Sequence, residues 1–207
     1  MELFHLRGVL KRIKKEFLLF FSVVNQSIKT RQGYVSTSGK KWEIVVMKFV
    51  NQEFIKNNVP LKVLRGRGLK KKYPVLWNNL AIPVNNGCVE GDVDLVVVNL
   101  NNIDIPLAVI SCKTSLHGRF SETLFYTTIW KQTIPKFIVM FATPDKGRQS
   151  KKQWQSEWGS MQKPTKDRQL AEKYIDGVYI DNMQTSLGGK IKKLTDLPLD
   201  LKNLLTS

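Results

Sequence analysis

Two apolar runs in mid-chain, each carrying charge at one end, limit the folds open to this sequence. The first is Glu90-Gly91-Asp92-Val93-Asp94-Leu95-Val96-Val97-Val98. The second is Pro106-Leu107-Ala108-Val109-Ile110-Ser111-Cys112-Lys113-Thr114. Neither alternates polar with apolar residues as a half-solvated strand would, so both read as central strands buried on two faces. Buried sheet tolerates Asp or Lys only where the charge is paired or holds metal. An acidic pair opening one strand and a lysine closing the next therefore form a small polar focus on an apolar scaffold. The short polar link at 99–104 predicts that the two strands pair as an antiparallel hairpin.

The other elements follow from local pattern. Residues 8–30 read as an N-terminal helix, basic at first and apolar later. A turn over 33–39 follows, with Thr37 or Ser38 as cap, and then a second helix over 40–57. Residues 62–65 make a short strand, and 65–72 a basic loop. Beyond the hairpin strands (92–99 and 106–113), Ser121 caps a helix over 122–133. A strand over 136–143, a turn at 144–147 and a polar, basic stretch over 146–164 come next. A helix over 165–175, a strand over 177–181 and a small amphipathic helix over 196–206 complete the chain. This order predicts an α/β fold, a mixed β-sheet flanked by helices. The 207 residues make one domain with one good core.

The second helix carries an anomaly. At 100° per residue, Lys41, Lys48, Gln52 and Lys56 share the wet face, while Glu43 falls among Met47, Val50 and Phe54. A carboxylate in an apolar stripe costs several kcal/mol, roughly, unless it finds a partner. Near a helix start it also favours the helix dipole. Both readings stand at this point.

Charge points to the partner. Lys and Arg number 33 against 17 Asp and Glu, a formal charge of +16. Such a field favours a polyanion, either nucleic acid or an anionic membrane. The one membrane-like run, Phe17 to Val24, is too short to span a bilayer. No cleavage site of small residues follows it, so it reads as the buried part of the first helix. Two cysteines, Cys88 and Cys112, cannot make a disulfide framework and fit a reducing, cytoplasmic setting. His5 and His117 lie far apart, and no Cys/His cluster has zinc spacing.

Together these residues resemble the PD-(D/E)xK nuclease superfamily and, within it, the type II restriction endonucleases. The matching pieces are Gly91-Asp92-Val93-Asp94 opening a buried strand, Ser111-Cys112-Lys113 closing the next, and Glu43 on the preceding helix in Gly39-Lys40-Lys41-Trp42-Glu43. The element order αβββαβ over about 37–143 is the restriction-endonuclease-like core, so the resemblance covers roughly half the chain. It implies that Asp94 binds metal and that Lys113 is the catalytic lysine. The Cys112 carbonyl is implied as a further ligand. Ser111 stands where the superfamily usually has an acid, and a serine hydroxyl is a poor Mg²⁺ ligand. Some members supply the missing acid from a helix. Glu43 and Glu122 are the two candidates, with Glu43 preferred because Glu122 is explained as a first-turn residue. Asp92 points to the same side as Asp94 and is either a metal ligand, an outer acid or an exposed strand-entry residue.

The implied reaction is hydrolysis of a phosphodiester in double-stranded DNA, with one or two Mg²⁺ ions and with Mn²⁺ as substitute. Lys113 polarises the attacking water, and burial near metal is expected to lower its pKa. Neither an organic cofactor nor a membrane is expected. Arg65, Arg67, Lys70, Lys71 and Lys72 form one candidate phosphate-tracking cluster, and Lys146, Arg148, Lys151 and Lys152 another. His117 and Arg119 lie just beyond Lys113, and Arg suits both phosphate and guanine. Trp42 and Met47 read as core residues before they read as base wedges. One catalytic centre per chain implies a homodimer on a two-fold symmetric site, with the N-terminal helix at 9–24 as candidate interface and the C-terminal segment available for DNA. Other nucleases of this fold, such as a junction resolvase or a repair nuclease, and a non-catalytic DNA-binding module are the alternatives.

Overall fold

The structure is a computed structural model and describes residues 31–116, 119–150 and 153–206. The predicted N-terminal helix, its proposed interface at 9–24, and His117, Lys151 and Lys152 lie outside these residues. The chain divides into an N-terminal unit, Met1–Lys40, and a larger unit, Lys41–Ser207, which carries the sheet.

Six strands form the main sheet. They are β1 (Leu61–Arg65), β4 (Leu95–Asn99), β5 (Asn102–Cys112), β6 (Ile138–Thr143), β9 (Gly177–Ile180) and β10 (Ile191–Lys193), and this is also their spatial order. β1, β4 and β5 pair antiparallel; β5, β6, β9 and β10 pair parallel. The β4–β5 hairpin forms as predicted. Its register shifts between Val97 and Val98, where Leu107 is the extra residue, and again between Val98 and Asn99, where residues 103–105 are extra. That irregularity accommodates Pro106, which has no N–H for a regular ladder.

Both faces of the sheet are covered. On one face Val96, Val98, Val109, Val139, Phe141, Val178 and Ile180 pack with Phe120, Trp130 and Trp158. Phe120, Phe141 and Trp158 meet edge to face at centroid distances of 5.3 to 5.7 Å. Residues of opposite parity, including Leu95, Val97, Ala108, Ile110, Met140 and Ala142, are equally buried. Helix α1 (Arg31–Lys56) buries Trp42, Val46, Phe49, Val50 and Phe54, and the Trp42 Nε1–H donates to Ala142 O at 3.0 Å.

Several boundaries differ from the sequence reading. α1 runs through the turn expected at 33–39, so neither Thr37 nor Ser38 caps it. Two glycines cost a helix about 1 kcal/mol each, which the burial of its apolar stripe outweighs. The basic loop at 65–72 contains a short helix α2 (Leu69–Lys72), followed by α3 (Pro74–Leu80) and a small hairpin of β2 (Ile82–Val84) with β3 (Gly87–Val89). Helix α4 (Arg119–Thr133) starts before Ser121, which therefore lies inside it and is not its cap. The stretch at 146–164 contains a second hairpin, β7 (Arg148–Ser150) with β8 (Gln153–Gln155). Helix α5 (Lys166–Tyr174) is capped by Thr165, whose side chain accepts the Arg168 N–H, and α6 (Leu197–Leu205) is the predicted tail helix. Among the described residues, no helix is long and apolar enough to cross a membrane.

Candidate active site

The register of the hairpin builds the site. Leu95 pairs with Ile110, so continuing the antiparallel ladder sets Asp94 opposite Ser111 and Asp92 opposite Lys113. The side chains use that proximity. Lys113 Nζ lies 2.7 Å from Asp92 Oδ2 and 2.9 Å from Asp94 Oδ2. Asp94 Oδ2 also accepts the Cys112 backbone N–H at 2.7 Å and the Ser111 hydroxyl at 3.4 Å. Depth separates the two acids: Asp94 is 12% exposed and Asp92 39%, with Lys113 only 5% exposed between them. This is the order expected from an apolar run that starts directly after Asp94.

Neighbouring elements hold this corner. Gly66, just past β1, donates its N–H to Asp94 O at 2.9 Å. A Cβ on Gly66 would stand 1.7 Å from the Val93 carbonyl oxygen, so only glycine allows the approach. Ala142 O accepts both Trp42 Nε1–H at 3.0 Å and the Lys113 N–H at 3.1 Å, which ties α1 to the lysine's backbone. From α4, Thr123 Oγ1 meets Ser111 Oγ at 2.9 Å.

Electrostatics follow from burial. Desolvation pushes the Asp94 carboxyl above the usual range, outweighing the attraction of Lys113. Burial alone would lower Lys113, but Asp94 and Asp92 outweigh it and hold the ammonium above the ordinary lysine range. Burial acts on Lys113 in the direction expected from the sequence, and the two carboxylates within contact distance set the net direction upward. The Cys112 thiol is pushed well up by burial, then by the charges of Asp94 and Glu43.

The remaining candidates are distributed as follows. Glu43 is half-buried and pairs with Arg65 at 2.8 Å. It thus has the partner that its place in an apolar stripe required. Glu122 is exposed in the first turn of α4, while its neighbour Thr123 is the residue that reaches Ser111. Trp42 is buried, as the core reading holds, and Met47 is half-buried. Arg67, Lys71 and Lys72 are exposed, and exposed Lys70 pairs with Glu90. Arg119, Lys146 and Arg148 are exposed. Sequence reasoning missed Thr123 and Gly66. It also missed Glu157, a buried carboxylate that accepts the Leu116 N–H at 3.3 Å behind the loop after Lys113.

Among the described residues, no group of three or more His, Cys, Asp or Glu side chains is arranged to hold a metal. Mg²⁺ is usually held by one or two carboxylates, with water and substrate phosphate completing the shell. Asp94 and Asp92 fit that smaller requirement. The raised Asp94 pKa also marks a buried negative charge that Lys113 does not fully compensate.

Residues 67–200, more than half of the chain, match the family model BsaWI restriction endonuclease type 2. The chain belongs to that family. A probable type II restriction enzyme of Helicobacter pylori, HpyAORF263P, is 32% identical over 124 residues, which cover 58% of this chain and 64% of that protein. The chain thus matches somewhat less than two thirds of that relative's length. The crystal structure of the specific restriction endonuclease AgeI in complex with DNA superposes with a TM-score of 0.69 at 17% identity. That match spans 88% of this chain and 73% of AgeI, and it shows the shared fold. In this BsaWI-family fold, the hairpin end with Asp94 and Lys113 falls inside the matched residues. Glu43 and Arg65 precede them.

Proposed function

We propose that this protein is a Mg²⁺-dependent type II restriction endonuclease of the PD-(D/E)xK type, cutting double-stranded DNA as a cytoplasmic homodimer at a short palindromic sequence. The observation that carries the reading is the Asp94–Lys113 contact at the open end of the β4–β5 hairpin, in a chain of this family. The net charge of +16 supports DNA as substrate, and so does the capture of the AgeI fold with DNA.

Asp94 and Asp92 would hold the cation, with the Cys112 carbonyl as a further ligand and Glu43 as the acid that stands in for the one absent at Ser111. Bound there, the cation would supply Lewis-acid relief of charge on the reacting phosphate. Lys113 performs the rest from a rigid position. Its ammonium, fixed between two carboxylates, orients a water toward phosphorus and donates to a non-bridging oxygen as negative charge grows. The Cys112 N–H and the Ser111 hydroxyl keep the Asp94 carboxylate in one orientation. Each site cuts one strand, so duplex scission calls for two copies related by the two-fold axis of the DNA.

Digestion of a sequenced plasmid tests the reading. Discrete fragments in Mg²⁺, absent with EDTA, are expected. A smear or nicking would assign a repair nuclease, and preference for four-way junctions a resolvase. Salt-sensitive binding without cleavage of any DNA would indicate a non-catalytic module.

A further inference from the structure

Arg65 sits between two environments. One Nη donates to Glu43 Oε2 at 2.8 Å. Its Nε is buried and has no hydrogen-bond partner, which is costly for a guanidinium donor. Arg65 also lines a cavity of about 310 Å³ between α1 and the segment that joins β1 to α2. Three more cations, Lys62, Arg67 and Lys72, line the same cavity, and no acidic side chain does. The one amide lining it, Asn51, spends its side chain on the backbone of Val63, at 2.9 Å as donor and 2.8 Å as acceptor. Four cations that share an open concavity repel one another and favour an anion between them. A guanidinium meets phosphate oxygens through two adjacent donors, and Arg65 has its Nε uncommitted.

The same arginine borders the candidate active site. Gly66, the next residue, bonds to Asp94 O, and the charge of Glu43 is felt at Cys112. A competitor for Arg65 would therefore change the charge beside that site.

We propose that this cavity is a subsite for one backbone phosphate of duplex DNA, and that a phosphate seated there takes Arg65 from Glu43. The inference rests on the DNA-cleaving reading and deepens it: substrate binding releases a carboxylate beside the catalytic corner. In the DNA-free protein Glu43 occupies Arg65 as an internal stand-in for phosphate. A shared guanidinium makes the two anions compete, so the ion pair opposes DNA binding.

The sign of one variant separates this from a merely structural ion pair. Binding of a short labelled duplex is measured by fluorescence anisotropy over a salt series, without divalent cation, alongside thermal melting of each variant. Arg65→Ala is expected to weaken binding several-fold and to lower the salt slope by about one ion. Arg65→Lys, which keeps the charge, is expected to keep most of the slope. Glu43→Gln is expected to bind the duplex several-fold more tightly than wild type although it loses an ion pair. Inorganic phosphate, compared with chloride at equal ionic strength, is expected to compete with the duplex more weakly against Arg65→Ala than against wild type. Wild-type binding with an unchanged salt slope in a folded Arg65→Ala protein, or an Arg65→Lys protein that loses as much of the slope as Arg65→Ala, would overturn the subsite. Glu43→Gln binding no tighter than wild type would overturn the exchange. Phosphate that binds without displacing duplex would overturn the DNA assignment in favour of a free-anion site. Failure of the wild type to bind any duplex would instead remove the DNA-cleaving reading beneath it.

Discussion

At the residue scale, Lys113 is committed to two carboxylates at 2.7 and 2.9 Å while 5% exposed. Removing it leaves Asp94 buried without its cation. Lys113→Ala is therefore expected to abolish plasmid cleavage, leave duplex binding largely intact, and lower metal-free stability by about 3 kcal/mol. Cleavage assays and denaturant melts check these separately, and a fully active variant would sink the mechanism. The acid that replaces the one absent at Ser111 is tested by comparing Glu43→Gln with Glu122→Gln. Glu43→Gln is expected to cut at least tenfold more slowly in single-turnover assays, while Glu122→Gln, altering an exposed first-turn residue, stays near wild type. The depth order of Asp94 and Asp92 was legible from the chain, because the start of an apolar run marks where burial begins. The Thr123–Ser111 contact was not, because helical periodicity gives the face of α4 but not the strand residue it meets.

At the element scale, the site depends on how closely β1 approaches β4. Gly66 allows that approach, since a Cβ would overlap the Val93 carbonyl. Gly66→Ala must move backbone that carries Asp94. A loss of about 1–3 kcal/mol by chemical denaturation is expected, together with a fall in kcat at nearly unchanged duplex affinity. Equal activity and stability would show that the corner tolerates displacement. The longer main-sheet strands, the β4–β5 pairing and the late helices were readable, because each is encoded by local periodicity and turn chemistry; β7, β8 and β10, of three residues each, were not. The small elements α2, α3, β2 and β3 were not. They are too short to show a period; Leu69, Leu76, Leu80 and Ile82 anchor α2, α3 and β2 by packing into the common core, and exposed β3 is held by pairing with β2. The overextension of α1 has the same origin: burial of its stripe overrides two glycines that would otherwise break it.

At the scale of the whole molecule, one buried carboxylate joins distant segments. Asp145, fully buried after β6, accepts from the Gly147 and Glu157 N–H groups and from the Ser156 and Thr185 hydroxyls. Its backbone carbonyl accepts from Asn182 Nδ2. Three stretches far apart in sequence thus meet at one side chain. Asp145→Ala leaves those donors without their acceptor in the interior, and a loss of about 3 kcal/mol or more is expected in a urea melt. A change under about 1 kcal/mol would mean that water replaces the carboxylate. Nothing in the local pattern marked this residue, since Pro144-Asp145-Lys146-Gly147 reads as an ordinary turn.

By itself the sequence determined the longer strands of the main sheet, the placement of Asp94 and Lys113 at the ends of two of them, and the excess of positive charge. A strand buried on both faces leaves few places where charge survives, so those residues stand out in a single chain. Only the tertiary structure decided which charges meet. It set Asp92 and Asp94 on one lysine through the hairpin register, tied Glu43 to Arg65 across 22 positions of chain, and placed Arg65 in the lining of a basic cavity. Such pairings are long-range and electrostatic. They depend on which elements pack together and how deeply, and neither periodicity nor spacing records that.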